Sequence, residues 1–386
     1  MQPTGIVESA KATNPLKKLL ELGQSVWLDY IRRDLLASGE LKKLITEDGL
    51  RGMTSNPSIF EKAIGESPYY SDILKSLQSR KDLDAGGRYE IIAVRDIQDA
   101  ADILRPVYDS SKRRDGYVSL EVSPHLARQT KATLEEARRL WKTVNRENVM
   151  IKVPGTAEEI PAFQHLISEG INVNVTLLFA QEVYEEVANA YVAGVEQLAS
   201  RGGDAGKIAS VASFFISRID TLVDSMVEKR LKTASNDREK ADLQSILGKV
   251  AIANGKQTYE RYQRIFGSER WKKLAAKGAQ TQRVLWASTS TKNPNYNDVM
   301  YVDDLIGPDT VNTMPPATLD AFRDHGRPRV TLTEDLPSAN RVMETVARVG
   351  ISMKEVTDQL TDDGVRLFAD AFVKLMNAVE KSSKSA

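Results

Sequence analysis

Short apolar runs rich in β-branched residues recur along this chain, and each is followed by a longer stretch with helical spacing. The runs are Ser25–Asp29, Leu50–Asn56, Tyr117–Glu121, Val149–Lys152, Ile171–Thr176, Ile208–Ser213, Arg283–Ser288 and, least strand-like, Thr310–Met314. Between them the spacing predicts helices over Tyr89–Ser110, Pro124–Val144 and Ala180–Ser200, among others. Strand–helix alternation builds a parallel sheet. Eight repeats predict a closed (β/α)8 TIM barrel, an architecture that typically takes ~250 residues.

The chain has 386 residues, and the surplus has visible homes. Arg218–Gln282 is long, helical in pattern and charged in stretches such as Asn236–Asp242, so it reads as helices inserted between the sixth and seventh strands. Met353–Lys381 carries Val356, Leu360, Leu367, Phe368, Phe372, Leu375, Met376 and Val379 at helical spacing and is expected to dock across the barrel; a partner-binding helix is the alternative. No linker or low-complexity tract interrupts the pattern, so one domain over 1–386 is the economical reading.

Composition narrows the chemistry. Lys plus Arg and Asp plus Glu both number 53, a balance that argues against nucleic-acid or membrane-surface binding through bulk charge. Cysteine is absent, which removes disulfides, thiolate metal sites and cysteine nucleophiles. The three histidines, His125, His165 and His325, are scattered, so a histidine-built metal site is not expected. Met1–Pro15 has no apolar run of the secretory kind, and no segment offers ~18 uninterrupted apolar residues. The expectation is a cytoplasmic protein without cofactor, monomer or homodimer, whose chemistry rests on Lys, Asp, Glu, hydroxyls and amides.

Most of the proposed strands finish on a polar group. Asp29, Asn56, Glu121, Lys152, Asn174, Thr176, Ser213 and Ser288 all fall at or near a C-terminal strand end. In a barrel those ends converge on one mouth, where such folds place their chemistry. Lys152 is the sharpest of them. An amine inside an apolar strand loses solvation, which favours its neutral, nucleophilic form and suits Schiff-base chemistry on a ketone. Its structural alternative is snorkelling, or an ion pair with Glu121. Glu121 and Asp29 are acid–base candidates for imine formation and carbon–carbon cleavage, with salt bridging as their alternative. Asn56, Asn174, Thr176 and Ser213 suit a polyhydroxylated substrate, although Asn56 before Pro57 also reads as a turn residue. Arg218, Ser288 and Lys292 are a candidate phosphate cradle, Lys292 being the weaker member. Gly202–Ile208 faintly resembles a phosphate loop, but its spacing is short by one and Ile208 replaces the needed hydroxyl; it reads as the loop before the sixth strand.

Taken together, Thr54-Ser-Asn-Pro-Ser58, Met150-Ile-Lys-Val-Pro-Gly-Thr156, Asn172-Val-Asn-Val-Thr-Leu-Leu-Phe179, Ser210–Asp220, Trp286–Pro294 and Asp304–Pro315 resemble the transaldolase family, in its longer bacterial branch. The resemblance runs from about Gln24 to the C-terminus. It implies a class I aldolase-type barrel moving a dihydroxyacetone unit from sedoheptulose 7-phosphate or fructose 6-phosphate to glyceraldehyde 3-phosphate or erythrose 4-phosphate, in the pentose phosphate pathway. By resemblance Lys152 is the Schiff-base lysine, and Asp29 takes the hydroxyl proton. Glu121 with Thr176 positions a water. Asn56, Asn174 and Ser213 hold substrate hydroxyls, and Arg218 and Ser288 contact phosphate. The shorter enzymes carry an arginine just past that serine, where this chain has Thr289-Ser290-Thr291-Lys292. No metal or organic cofactor is implied.

Two other readings stand beside it. One is a fructose 6-phosphate aldolase on the same barrel; such enzymes resemble this chain but carry glutamine at the position of Glu121 and tyrosine near Phe215. The other is a catalytically inactive barrel acting as a binding protein, against which intact Lys152, Asp29 and Glu121 argue.

Overall fold

A computed structural model describes residues 14–385. The expectation of no leader over Met1–Pro15 falls almost wholly outside the described residues. Eight parallel strands close into a barrel in sequence order: β1 (Gln24–Asp29), β2 (Gly52–Thr54), β3 (Tyr117–Glu121), β4 (Val149–Pro154), β5 (Val173–Leu178), β6 (Ser210–Phe215), β7 (Arg283–Ala287) and β8 (Thr310–Met314). The strands are buried almost throughout, as a parallel sheet covered by helices requires. The eighth run, the least strand-like in sequence, is a strand over the expected residues and pairs with both β7 and β1. Strands β5 and β6 each start two residues later than expected, at Val173 and Ser210, with Asn172 and Ala209 just ahead of them accepting backbone hydrogen bonds from Ile151 N and Val173 N.

Strand register positions the mouth. Glu121 on β3 pairs with Lys152 on β4, and Lys152 pairs with Asn174 on β5, so three polar side chains lie level across adjacent strands. On the far side Asp29 on β1 is level with Thr54 on β2. Between Val175 and Leu178 the β5–β6 register slips, and Leu177 adopts a left-handed φ of +62°. Such an irregularity inserts one residue and bends the strand. Leu177 is thereby turned toward the C-terminal helix, where a Cβ on Gly364 would come within 2.9 Å of its side chain.

Between β6 and β7 the chain forms four helices: Ser217–Leu231, Asp237–Ile246, Val250–Phe266 and Glu269–Ala275. The third packs between Gln181–Ser200 and Leu336–Arg348 on the outside of the barrel. The C-terminal helix, Met353–Ser385, lies against Pro57–Glu66 and reaches the end of β5. Its amphipathic face buries Val356, Leu360, Phe368, Leu375 and Val379. No helix among the described residues is long and apolar enough to cross a membrane.

Candidate active site

The C-terminal ends of the strands open on a cavity of about 230 Å³. Lys152, Asp29, Asn56, Thr176, Ser213, Phe215, Arg218, Ser288 and Lys292 all line it. Glu121 and Asn174 do not; they stand behind the first layer and act on it through neighbours. Three larger grooves, about 740, 680 and 450 Å³, lie elsewhere and contain none of the candidate residues.

Lys152 sits inside the barrel with its side chain 5 % exposed. Its Nζ donates to the Ser55 carbonyl at 3.1 Å and lies 3.4 Å from Glu121 Oε2. The Phe368 ring of the C-terminal helix covers it, with Nζ 5.4 Å from the ring centre. The Glu121 carboxyl is 6 % exposed. Burial pushes it up to about 7, against the pull of Lys152. A carboxyl at that value exchanges its proton near neutrality, which is what general acid–base work needs. Rather than the main cavity, Glu121 borders a neighbouring, smaller one of about 180 Å³ lined by Tyr89, Glu136 and Phe372.

Asp29 accepts from Thr54 Oγ1 at 2.7 Å, and Thr54 Oγ1 lies 2.7 Å from Thr313 Oγ1. Burial raises the Asp29 carboxyl, while the Lys152 charge and the Thr54 hydroxyl pull it down. The two carboxyls thus differ in setting: Glu121 lies 3.4 Å from the amine on the neighbouring strand, whereas Asp29 lines the cavity with Lys152 and acts on it through charge.

The amides and hydroxyls form a chain under the cavity floor. Asn174, fully buried, donates from Nδ2 to Ser119 Oγ at 3.0 Å and accepts from Ser213 Oγ at 2.7 Å. Thr176 is fully buried, and its Oγ1 has no hydrogen-bond partner among the described residues. That leaves one hydroxyl available to a bound water or substrate. Asn56 is the turn residue before Pro57, its Oδ1 capping the helix Pro57–Glu66 by accepting from Ile59 N at 3.1 Å, and it also lines the cavity.

The cationic end is made by the start of Ser217–Leu231 and the loop after β7. Arg218 lies over the Phe215 ring at 5.4 Å, and burial lowers its guanidinium. Burial and the neighbouring Arg218 charge also lower the Lys292 ammonium. Ser288 closes the corner in a left-handed conformation, φ +55°, with its Oγ 3.0 Å from Ser217 Oγ and its carbonyl accepting from Ser217 N at 3.0 Å. Arg218, Lys292, Ser288 and Ser290 line the same end of the cavity, two cations and two hydroxyls of the kind that can receive an anion. Among the described residues no cluster of His, Asp and Glu is placed to hold a metal ion.

Sequence reasoning did not single out Thr54, Thr313, Ser290 or Phe368 as site residues. Thr54 was within reach, since it opens the Thr54–Ser58 motif and is level with Asp29. Phe368 gave no signal separating it from the other apolar positions of its helix.

The transaldolase/fructose-6-phosphate aldolase family model matches residues 26–379. A protein named transaldolase from Trichodesmium erythraeum is 48 % identical over 375 residues, covering 96 % of this chain and 98 % of its own length. Transaldolase 2 of Nostoc punctiforme is 48 % identical over 377 residues, covering 97 % and 98 %. The transaldolase of Thiobacillus denitrificans is 45 % identical over 363 residues, covering 94 % and 99 %. A match spanning nearly the whole barrel, with its polar rim, means that the chain belongs to the transaldolase/fructose-6-phosphate aldolase family.

Proposed function

We propose that the chain is a Schiff-base transaldolase and that the cavity residues divide the work as follows. Lys152 Nζ attacks the keto carbon of a sugar phosphate, giving a carbinolamine. Glu121 accepts a proton from the attacking nitrogen and returns one to the departing hydroxyl, through a water held with Thr176 Oγ1; water leaves and an iminium remains. Asp29 takes the proton of the C4 hydroxyl. The C3–C4 bond breaks, its electron pair moves into the iminium, and an aldehyde departs. The enamine left on Lys152 then attacks an acceptor aldehyde, and the steps reverse. The observation that carries this reading is the sealed amine with one carboxyl on each side: Glu121 at 3.4 Å and Asp29 in the same cavity.

Substrate handling follows from the remaining groups. Asn56, Ser213 and, behind Ser213, Asn174 present amides and hydroxyls to sugar hydroxyls. Arg218, Ser288 and Lys292 take the terminal phosphate. Glu121 and Phe215 support transfer over release of free dihydroxyacetone, because the aldolase branch is expected to carry other residues there. A protein of one barrel domain acting on sugar phosphates in the cytoplasm fits the barrel closed by its own C-terminal helix.

Borohydride reduction in the presence of fructose 6-phosphate, followed by peptide mapping, tests the assignment. A sugar-derived adduct on Lys152, lost in Lys152→Met, is expected; an adduct on another lysine overturns it.

A further inference from the structure

Two buried carboxylates on one face of the helix Ser217–Leu231 belong to no catalytic step. Asp224 Oδ1 accepts from Gly248 N at 3.0 Å, and its Oδ2 accepts from Tyr296 Oη at 2.8 Å. One turn earlier, Asp220 Oδ1 accepts from Ala251 N at 2.8 Å and its Oδ2 from Tyr301 Oη at 2.9 Å. Each aspartate therefore joins three segments: its own helix, the entry to or first turn of Val250–Phe266 (Gly248 or Ala251), and the β7–β8 connection, through Tyr296 in its loop or Tyr301 in its short helix Met300–Asp303. That loop is the one carrying Ser288, Ser290 and Lys292, and Tyr296 follows Lys292 by four residues. The fit around Tyr296 is close. Gly248 is left-handed at φ +66°, and a Cβ there would lie 2.7 Å from the Tyr296 ring.

Resting on the assignment of Arg218, Ser288 and Lys292 to phosphate, we propose that the Asp224–Tyr296 and Asp220–Tyr301 pairs are positioning pairs that hold Lys292 opposite Arg218 and so confer affinity for phosphorylated substrates. The physical need is plain. Arg218 and Lys292 are like charges facing one small cavity, and burial disfavours both. With no phosphate between them, repulsion favours swinging Lys292 out to solvent. Bonds within the loop stiffen it: Thr291 Oγ1 donates to the Asn297 carbonyl at 2.9 Å, Asn295 N to Asn293 Oδ1 at 3.0 Å, and Lys292 Nζ to Ser290 Oγ at 2.7 Å. None of these ties the loop to the helix that bears Arg218. The Ser217–Ser288 contacts do so at the start of the loop, and the two tyrosine hydroxyls do so at its far end. Asp220 and Asp224 lie on the same helix as Arg218, so the tyrosines set the position of Lys292 against the element that positions its counterpart. Holding two cations together before the anion arrives moves the ordering cost out of the binding step.

The experiment compares Tyr296→Phe with the unaltered protein by trapping the Lys152 adduct at increasing donor concentration. Fructose 6-phosphate is one donor, and dihydroxyacetone, which lacks phosphate, is the other. Inorganic phosphate is titrated as a competitor of fructose 6-phosphate. Tyr296→Phe removes one oxygen, and Tyr301→Phe is the second variant should the first melt early. The expected result is a rise of roughly 5- to 20-fold in half-saturating fructose 6-phosphate and in the inhibition constant of phosphate, at or below the lower end of what a lost hydrogen bond to a charged group is worth because the bond acts at one remove, with dihydroxyacetone unchanged. Equal weakening of both donors, or no change in either, overturns the proposal. Lys292→Met run alongside separates the two layers of the argument. If it leaves phosphate inhibition untouched, the assignment of Lys292 to phosphate fails; if it weakens phosphate while both tyrosine variants do not, only the positioning role fails.

Discussion

Glu121 and Lys152 are level on neighbouring strands, with Oε2 3.4 Å from Nζ and both side chains nearly sealed from solvent. A buried ion pair is weak evidence for stability, because desolvation offsets the attraction. Set at strand ends beside a cavity, under the proposed mechanism it keeps an amine and its proton acceptor within one transfer of each other.

Glu121→Gln is expected to slow imine formation by about 10²- to 10⁴-fold, the usual worth of a positioned proton donor and acceptor, while donor binding is retained. The pH dependence has a definite sign. Burial raises this carboxyl to about 7, so it is mostly protonated below that pH and mostly ionised above it. The rate of adduct trapping against pH therefore bends near neutrality in the unaltered protein, and that bend is missing in Glu121→Gln. The same shift bears on folding. A carboxyl raised in the native state adds stability below its unfolded value, and that stability is lost as pH rises through about 7. A bend that persists unchanged in the variant assigns it to another group of the coupled site.

Much of this architecture was readable from residues alone, and the parts that were not share a cause. The run at Arg283 is a strand because its β-branched and aromatic residues suit a sheet buried on both faces, and pattern reports that directly; the run at Thr310, weaker in pattern, is held in the sheet by its pairing with both β7 and β1. The slip at Leu177 is different, since a leucine gives no warning of a left-handed backbone, and its side chain meets Gly364 of the C-terminal helix, a contact far away in sequence. Phe368 likewise looks like any core position of an amphipathic helix. Periodicity states which face is apolar, not whether that face meets barrel wall or barrel mouth. The Asp224–Tyr296 pair spans 72 positions, and neither residue carries a local signature of the other.

Ser288 separates a hydroxyl effect from a backbone effect. Its φ of +55° costs an L-residue about 1–2 kcal/mol that glycine avoids. Ser288→Gly and Ser288→Ala both lose the contact to Ser217 Oγ, and both are expected to weaken fructose 6-phosphate binding several-fold while sparing dihydroxyacetone. Only Ser288→Ala keeps the strain, so its denaturant midpoint should fall below that of Ser288→Gly by an amount equivalent to about 1 kcal/mol. Equal midpoints would show that the surrounding loop relaxes once the hydroxyl is gone.

Phe368 is the group whose loss should change what the enzyme makes rather than how fast it works. Its ring lies over Lys152 Nζ, 8 % exposed, on a helix that also meets the end of β5. In the proposed mechanism the enamine on Lys152 must outlast the exchange of one aldehyde for another, and that wait is productive only while water and stray protons are kept from it. Truncation to alanine opens a channel beside the amine and leaves a cavity, for a stability cost of about 3–5 kcal/mol. The diagnostic quantity is the partition between free dihydroxyacetone released and dihydroxyacetone transferred to added erythrose 4-phosphate. Phe368→Ala is expected to raise that ratio several-fold, whereas Phe368→Leu, which refills most of the space, should stay close to the unaltered protein. If a folded Phe368→Ala transfers as faithfully as before, the seal over Lys152 is made by the barrel itself, and the C-terminal helix has no part in keeping water from the intermediate.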